Sequence, residues 1–357
     1  MDQRYTHKIK KIEEALNYWL PVTPDSKWAE KIFPGLADTL DTQLLHVLTV
    51  PGRDLISRGG KRWRPLLMIL VCEALGGGEA AMPLVPLFEF SHNASLIHDD
   101  IEDNADERRG KPAVHIVHGT DAAINSGSFL YFLSLACIDS WAESLPQDKA
   151  DSYRSSVYSL WSANLRKLHL GQAIDIHWHR DYSIIPSLDK YHTMCRLKNG
   201  CLARFAAELG AAIAELSIKG KINPVPMQQL GIAGEKLGVG FQILDDVKNL
   251  TTGVPGKKRG DDIVEGKKSL PLLLFLHRYP EKRVMVFRSF ESARSGGAGV
   301  PEVEKLIQAF EGTGILAEAE GHGKSLIAEA NDIFNSADIP LSDEGRALLH
   351  GLIDLIG

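Results

Sequence analysis

The sequence lacks any apolar run of about 18 residues, the length a membrane-spanning helix needs, so we expect no integral membrane segment. Its first 14 residues are charged throughout and lack the apolar stretch of a signal peptide. The net charge of −6 argues against nucleic-acid binding and against a polybasic membrane anchor. The few cysteines are dispersed without metal or redox spacing, which predicts buried thiols and a cytoplasmic location. They are Cys72, Cys137, Cys195 and Cys201.

Alternating strand patterns and breaks in composition are also almost absent, whereas helical periodicity runs through the 357 residues. We therefore predict one all-α domain spanning residues 1–357. Prolines and glycines divide it into helices, including one over about 37–50 and a long one from about 187 to 216. We find no nucleophile elbow, no H-E-x-x-H zinc motif and no P-loop.

An acidic stretch, H-D-D-I-E-D-N-A-D-E-R-R-G, occupies residues 98–110. At helical spacing, Asp99 and Asp103 lie one turn apart on one face, where like charges repel unless a cation lies between them. Two carboxylates suit Mg²⁺, which shares its coordination with water and phosphate. Arg108 and Arg109 follow within a loop over 107–112, and arginine grips diphosphate oxygens well. The alternative is a solvated helix end.

A second acid cluster, F-Q-I-L-D-D-V-K-N-L, ends the helix predicted near residue 250. Asp245 and Asn249 repeat the i,i+4 spacing of the first cluster. The following stretch, residues 253–268, is rich in glycine and lysine, which suits a flap closing over an anion, or else a disordered surface loop.

The two clusters are 146 residues apart, and we expect the helices that carry them to place their acidic ends around one cavity mouth. Several Mg²⁺ ions there would bind one diphosphate, with cationic help from Lys198, Lys257 and Lys267. A second diphosphate is expected on a metal-free group formed by Lys61, Arg64, His92 and Arg109. Apolar helix faces beneath suit a hydrocarbon chain with an ionic head, so the chemistry predicted is loss of an allylic diphosphate followed by attack of an alkene.

These motifs resemble those of the trans-isoprenyl diphosphate synthases, or polyprenyl synthetases, from about residue 55 to 275, with weaker likeness in the helices over 276–357. In order they are G-G-K-R-W-R-P, D-D-I-E-D, R-R-G-K-P, G-Q-A-I-D, K-N-G, F-Q-I-L-D-D and E-G-K-K-S-L-P. Within the family the chain is most similar to eukaryotic-type geranylgeranyl diphosphate synthases, whose second acid motif also ends in asparagine.

The resemblance implies an all-α isoprenoid-synthase bundle, a homodimer, and addition of isopentenyl diphosphate to dimethylallyl, geranyl or farnesyl diphosphate. It implies about three Mg²⁺ ions on Asp99, Asp103 and Asp245. It assigns the isopentenyl diphosphate to Lys61, Arg64, His92 and Arg109. It assigns the allylic diphosphate to Arg108, Lys198, Asn199, Gln242, Asn249, Lys257 and Lys267. Catalytic roles fall on Asp99, Asp100, Asp103, Lys198, Gln242, Asp245 and Asp246.

One departure from the family is Asn199, which stands where a threonine usually follows the lysine of this motif. A shifted contact is expected there.

The resemblance also bears on product length: in the family, bulky residues at the positions of Ala94 and Ser95 stop growth at fifteen carbons, and here both residues are small. Tyr131, Phe132 and His169 would then form a deeper floor, favouring a twenty-carbon product. If the aromatic pair belongs to the ordinary core, the product is longer. The remaining alternatives are a farnesyl diphosphate synthase, a non-catalytic subunit of a heteromeric synthase and a terpene cyclase.

Overall fold

Helices make up most of the computed structural model, which describes residues 3–253 and 258–356 and confirms the all-α fold class. In chain order the elements are α1 Gln3–Trp19, α2 Ser26–Ile32, α3 Thr42–Ser57, α4 Trp63–Ala74, α5 Pro86–Glu102, β1 Glu107–Arg108, β2 Lys111–Pro112, α6 Val114–His118, α7 Thr120–Glu143, α8 Gln147–Arg180, α9 Leu188–Cys195, α10 Cys201–Lys219, α11 Pro224–Leu250, α12 Asp261–Val264, α13 Leu270–Arg278, α14 Arg283–Gly296, α15 Pro301–Gly312, α16 Ile315–Asn335 and α17 Asp343–Ile356.

Helix α3 differs from the helix predicted over residues 37–50, which is wrong at both ends. Its start is set by Asp41, whose carboxylate accepts a hydrogen bond from Gln43 N at 2.8 Å. At the other end the helix continues through Pro51 instead of stopping there. Proline disrupts the helical hydrogen-bond ladder around it, and the Gly52 N–H here donates to Ser126 Oγ at 2.9 Å. A partner on α7 thus satisfies this buried donor.

The helix predicted from about 187 to 216 is interrupted. A π-helical segment, Arg196–Gly200, separates α9 from α10. Such one-turn expansions re-aim side chains and are frequent at functional sites. This one carries Lys198 and Asn199.

The chain divides into two compact units built from interleaved segments. The first contains the residues up to Ser162, Phe205–Gln228 and Ala337–Ile356. The second contains Ala163–Arg204 and Gln229–Ser336. The single domain over residues 1–357 stays a prediction.

In the first unit, α5 packs on α7 and α3, and α4 packs on α17. Helix α5 begins at Pro86, a residue suited to a first helical position. Close approach of α10 to α4 depends on Gly210, where an added Cβ would lie 2.4 Å from Met68 O. This packing fixes the carboxyl end of α5, where the first acid cluster lies.

In the second unit, one apolar core joins α9, α11, α13, α14, α15 and α16. Fully buried aromatic side chains such as Tyr191, Phe275, Phe290 and Phe310 fill it. The carboxyl end of α11, with the second acid cluster, rests on this core through Val247 and Leu250.

Helix α7 has the length and apolar composition of a membrane-crossing helix, and 44% of that apolar window is buried within the protein. A core helix of a globular protein has the same properties, so this helix is weak evidence for a membrane segment.

Candidate active site

The first acid cluster forms the last turn of α5. Asp103 caps this helix, and its backbone N–H donates to Asp99 O at 2.9 Å. The helical spacing predicted for the two carboxylates is therefore present, and both side chains are partly exposed. They present oxygen ligands to solvent one turn apart, as a hard cation requires.

Asp100, between them, has a different environment because its side chain is completely buried. Its Oδ1 accepts hydrogen bonds from Arg108, with Nε at 2.7 Å and the terminal NH2 group closer still. Arg108 also lies 3.6 Å from Asp99 Oδ2. The buried pair thus joins the end of α5 to the segment that follows it.

That segment was predicted as a loop over residues 107–112 and is a tight hairpin. Strands β1 and β2 pair with Arg108 opposite Lys111, and Arg109 and Gly110 form the turn with φ of 55° and 71°. Two positive φ values are typical of a type I′ turn, which glycine favours. Arg58 holds the hairpin through hydrogen bonds to Arg108 O at 3.1 Å and Pro112 O at 2.9 Å.

Three members of the predicted metal-free cationic group meet in the first unit. Arg64 NH1 lies 3.4 Å from His92 Nε2. Arg109 donates to Leu55 O at 3.0 Å and to Gly59 O, just before Lys61. Burial, together with the charges of Arg64 and Arg109, holds the pKa of His92 well below its ordinary value. The ring is therefore neutral at pH 7 and able to hydrogen-bond without adding charge.

Burial also lowers the pKa of Arg109 to about 10, with Arg62 among the neighbouring cations that contribute. Lys61 donates through Nζ to the Ile356 carbonyl at the end of α17. A second anion placed among these groups would relieve the crowding of positive charge.

Arg62, a buried residue beside the cationic group of Arg64, His92 and Arg109, was not predicted from the sequence as part of the site. It is 2% exposed, has a positive φ of 50°, and forms ion pairs with Glu89 at 2.6 Å and Glu13 at 2.7 Å. It also donates to Ile56 O at 2.7 Å. The only signal in the sequence was its place between Lys61 and Arg64, which did not show that its side chain points inward.

The second acid cluster, at the end of α11, repeats the arrangement of the first. Asp245 is exposed, whereas the neighbouring Asp246 is 2% exposed. Asp246 Oδ1 accepts hydrogen bonds from Gln242 Nε2 at 2.7 Å and Lys267 Nζ at 3.1 Å. Burial raises the pKa of Asp246 to about 6, although Lys267 opposes that shift. Lys267 also lies 3.6 Å from Asp262 Oδ1, and these carboxylates raise its pKa.

The π-helical segment joins this network. Asn199 Nδ2 donates to Gln242 Oε1 at 2.7 Å, so the amide group of Gln242 bridges Asn199 and Asp246. Lys198 Nζ donates to Asp175 Oδ2 at 2.5 Å. Asp175 lies on α8, in the turn that carries the G-Q-A-I-D motif.

Asn249 is 2% exposed and contacts backbone in this structure. Its Nδ2 donates to Lys258 O at 3.4 Å, and its Oδ1 accepts from Asp262 N at 3.3 Å. An amide can satisfy both partners, whereas a carboxylate could not donate to the carbonyl. Lys257, predicted to touch the allylic diphosphate, lies outside the described residues.

The residues predicted to set product length have contrasting environments. Ala94 is fully buried, and Ser95 Oγ donates to His92 O at 2.8 Å. The Tyr131 ring stacks on His98 with centroids 5.9 Å apart, while Phe132 is 67% exposed.

His169, in the second unit, is exposed and has Nδ1 2.8 Å from Leu165 O.

The donor chemistry of the two clusters fits Mg²⁺. Among the described residues no three carboxylate, imidazole or thiol groups gather as a closed metal cage. Magnesium needs no such cage, because it usually keeps several waters and binds one or two carboxylates plus substrate phosphate. The partly exposed pair Asp99 and Asp103, and the exposed Asp245, offer such incomplete ligand sets.

Comparison with known proteins gives a consistent result. Residues 46–307 match the family model described as polyprenyl synthetase. The chain is 29% identical over 350 residues to a geranylgeranyl pyrophosphate synthase of Neocamarosporium betae, covering 94% of this chain and 92% of that protein. It is 32% identical over 311 residues to a geranylfarnesyl diphosphate synthase of Aeropyrum pernix, covering 85% and 91%.

Among solved structures, the fold is similar to that of a geranylgeranyl pyrophosphate synthase from Corynebacterium glutamicum complexed with isoprenyl diphosphate and magnesium. The TM-score is 0.79 at 23% identity, covering 97% of this chain and 96% of that one.

Proposed function

Because the chain belongs to the polyprenyl synthetase family and is a prenyltransferase that elongates prenyl chains, we propose that it makes geranylgeranyl diphosphate. In this proposal isopentenyl diphosphate adds head-to-tail, C1′ to C4, to an allylic diphosphate, and inorganic diphosphate is released. The observation that carries the proposal is the pairing, in one unit, of the partly exposed carboxylates Asp99 and Asp103 with the cationic group of Arg64, His92 and Arg109. The two carboxylates suit a diphosphate bridged by metal, and the cationic group suits a diphosphate held without metal.

Bound Mg²⁺ would neutralise the charge that develops on the departing allylic diphosphate. Asp99 and Asp103 would hold Mg²⁺ in the first unit, and Asp245 would hold Mg²⁺ in the second. Arg108 and Lys267 would assist as fixed cations whose positions are set by Asp100 and Asp246. In this proposal the two buried aspartates position the cations, and their exposed neighbours bind metal.

The isopentenyl diphosphate would sit on Lys61, Arg64, His92 and Arg109. The neutral His92 ring serves as a hydrogen-bonding group, and the arginines supply the charge. The alkene of isopentenyl diphosphate would then attack C1 of the allylic cation, and the proton released would go to the departing diphosphate. No side-chain nucleophile is required.

A twenty-carbon product is supported by the small residues Ala94 and Ser95 on α5 and by the product in the name of the N. betae relative. A longer product is the second candidate, because the A. pernix relative is named for a twenty-five-carbon product. Tyr131, in contact with the His98 ring, is the better-placed candidate for the floor. Phe132 would take part only against another chain or element, because its ring is 67% exposed.

The test is incubation of purified protein with Mg²⁺, isopentenyl diphosphate and each allylic primer, followed by dephosphorylation and chromatography of the alcohols. We expect a C20 alcohol from farnesyl diphosphate, and none in the presence of excess chelator. Absence of any elongated alcohol would overturn the proposal. A C25 or longer alcohol would select the second candidate.

The floor assignment is tested in the same assay. Tyr131→Ala is expected to shift the product beyond C20, and Ala94→Phe to stop it at C15. Unchanged product length in both variants would contradict the assignment.

A further inference from the structure

Lys268 is a buried lysine to which the proposed mechanism gives no role. It follows Lys267 in the turn between α12 and α13, and it is 1% exposed. Lysine is almost never fully buried unless its charge finds a partner. Here Nζ donates to Gly266 O at 3.0 Å, two residues earlier in the same turn.

Aromatic rings supply further contacts for the ammonium group. Nζ lies 4.7 Å from the ring centroid of Phe290 on α14 and 5.4 Å from that of Tyr182. Both distances are within the range of cation–π attraction. The Arg294 guanidinium also lies 5.9 Å from the centroid of the Tyr182 ring.

The charged groups around Lys268 come from three elements. Asp175 on α8 and Asp181 just after it act through space to raise the pKa of Lys268, but burial outweighs them and lowers the pKa to about 8. Arg294 on α14 and Lys267 in the same turn are the neighbouring cations. At pH 7 the ammonium form therefore outnumbers the neutral amine by about ten to one.

The turn that contains Lys268 also directs Lys267. Gly266 has a φ of +73°, and a Cβ added there would lie 2.6 Å from Tyr182 Cε1, so the ring packs directly on the glycine. On the other side, Lys267 N donates to Asp262 O at 2.9 Å. From this turn Lys267 Nζ reaches Asp246 at 3.1 Å and Asp262 at 3.6 Å.

We propose that Lys268 is a positioning residue for the allylic diphosphate site. Its ammonium group, held against Phe290 and Tyr182, fixes the Gly266 carbonyl and thereby the direction in which Lys267 leaves the turn. The inference rests on the proposed function, in which Lys267 binds the allylic diphosphate. If Lys268 only filled space, the direction of the Lys267 side chain would not depend on the charge at position 268.

The main test compares the wild type with Lys268→Met, which keeps most of the volume and removes the charge and the donor. Steady-state kinetics with geranyl diphosphate, isopentenyl diphosphate and Mg²⁺ are measured from pH 6.5 to 9.5. At pH 7 the variant is expected to raise KM for geranyl diphosphate about five- to tenfold, a typical cost of one misplaced charged contact, and to leave KM for isopentenyl diphosphate unchanged. Lys305→Met, at an exposed position of α15, is the matched control and should behave as the wild type.

The pH profile separates positioning from packing. In the wild type, kcat/KM for geranyl diphosphate is expected to fall as pH rises through about 8, where Lys268 loses its charge. Lys268→Met should lack this step. Lys268→Arg stays charged throughout this range, so the step near pH 8 should disappear from it. A step near pH 8 that persists in Lys268→Met, or equal KM values in both proteins, would overturn the proposal.

Two measurements without turnover complete the test. Calorimetric binding of inorganic diphosphate with Mg²⁺ should be weaker in Lys268→Met than in the wild type. A wild type that binds this probe better than the variant but makes no elongated product would reject the proposed function and keep the positioning role. Equal binding, in an active wild type, would reject the positioning role alone.

The second measurement is thermal unfolding against pH. Because the folded pKa of about 8 is below the ordinary 10.5, the unfolded chain holds the proton more tightly between these values. The stability of the wild type relative to Lys268→Met should therefore rise from pH 8 to 10.5. If Lys268→Met does not fold, the pH profile of Lys268→Arg decides: a step near pH 8 that persists in it would overturn the proposal.

Discussion

At the scale of single residues, adjacent aspartates with the same side chain have opposite environments. Asp100 and Asp246 are buried and paired with Arg108 and Lys267, whereas Asp99 is partly exposed. Each buried carboxylate pairs with a cation, and we propose that its exposed neighbour binds metal. The order is the same in both clusters because successive helical residues point about 100° apart.

The two roles predict different effects of the same substitution. Asp99→Asn should reduce kcat by about two orders of magnitude or more, since the proposed metal ligand is lost while charge develops on the leaving group. Its melting temperature should stay near that of the wild type. Asp100→Asn should lower the free energy of unfolding by about 3 kcal/mol, because the guanidinium of Arg108 loses its buried partner. Urea titrations measure the stability of both variants, and initial rates measure their activity. Equal losses of stability in the two variants would contradict the assignment of different roles.

Asp54, which lies outside the two acid clusters, permits a prediction about the pH dependence of stability. Its hydrogen bond from Arg58, the residue that holds the hairpin, lowers its pKa, and His118 adds to the shift. A lowered carboxyl pKa stabilises the folded state fully above the unfolded value of about 4, and this stabilisation is lost as pH falls through the lower pKa of the folded state. Asp54→Asn should therefore cost about 1 kcal/mol at pH 7 and progressively less as pH falls below about 4. A cost independent of pH in urea unfolding would show that charge is not involved.

At the scale of secondary-structure elements, the first site depends on how closely helices approach one another. Gly210 on α10 lies against the backbone of Met68 on α4, and Gly77 likewise leaves less than 3 Å for a Cβ beside Ala214. These contacts lie in the unit that holds Arg64 on α4. Widening them would move the cationic group relative to the end of α5.

Gly210→Ala is expected to destabilise the protein by about 2 kcal/mol, since an added methyl group would lie 2.4 Å from Met68 O and force α10 and α4 apart. KM for isopentenyl diphosphate should rise with it. The matched control is Gly321→Ala on α16, where nothing lies within 4 Å of the added Cβ. That change should stabilise by about 0.5–1 kcal/mol through helix propensity. Differential scanning calorimetry of the pair decides, and effects of the same sign would contradict the packing argument.

At the scale of the whole molecule, α7 presents apolar side chains to solvent. Phe132 is 67% exposed and Ile124 is 46% exposed, on a helix whose other face is buried against α5 and α3. Such side chains on one face suit contact with another protein surface. They support the proposal that the chain forms homodimers through α7.

Phe132→Asp is accordingly expected to weaken self-association at least tenfold, because it places a charge in an apolar contact. Light scattering after size-exclusion chromatography measures the mass as a function of concentration. Lys305→Asp, at the exposed α15 position, is the control. A wild type that is monomeric at all concentrations, or that partitions into lipid vesicles, would reject the dimer proposal.

The sequence by itself determined the fold class and the positions of both acid clusters, because helical periodicity and i,i+4 carboxylate spacing are local properties. It also grouped Lys61, Arg64, His92 and Arg109, all of which lie in the first unit, and their binding of a diphosphate stays a prediction. Local patterns failed where a distant partner decides the conformation. Ser126 accepts a hydrogen bond from the amide after Pro51, and Arg58 donates to both strands of the hairpin found in place of the expected loop.

Only the tertiary structure distinguished the roles of adjacent residues of the same type. Burial decides which aspartate of each pair fixes a cation and which faces solvent, and burial depends on packing that no local pattern encodes. The same holds for the two lysines after Gly266. Lys267 pairs with Asp246, while Lys268 turns inward against the rings of Phe290 on α14 and Tyr182, just after α8.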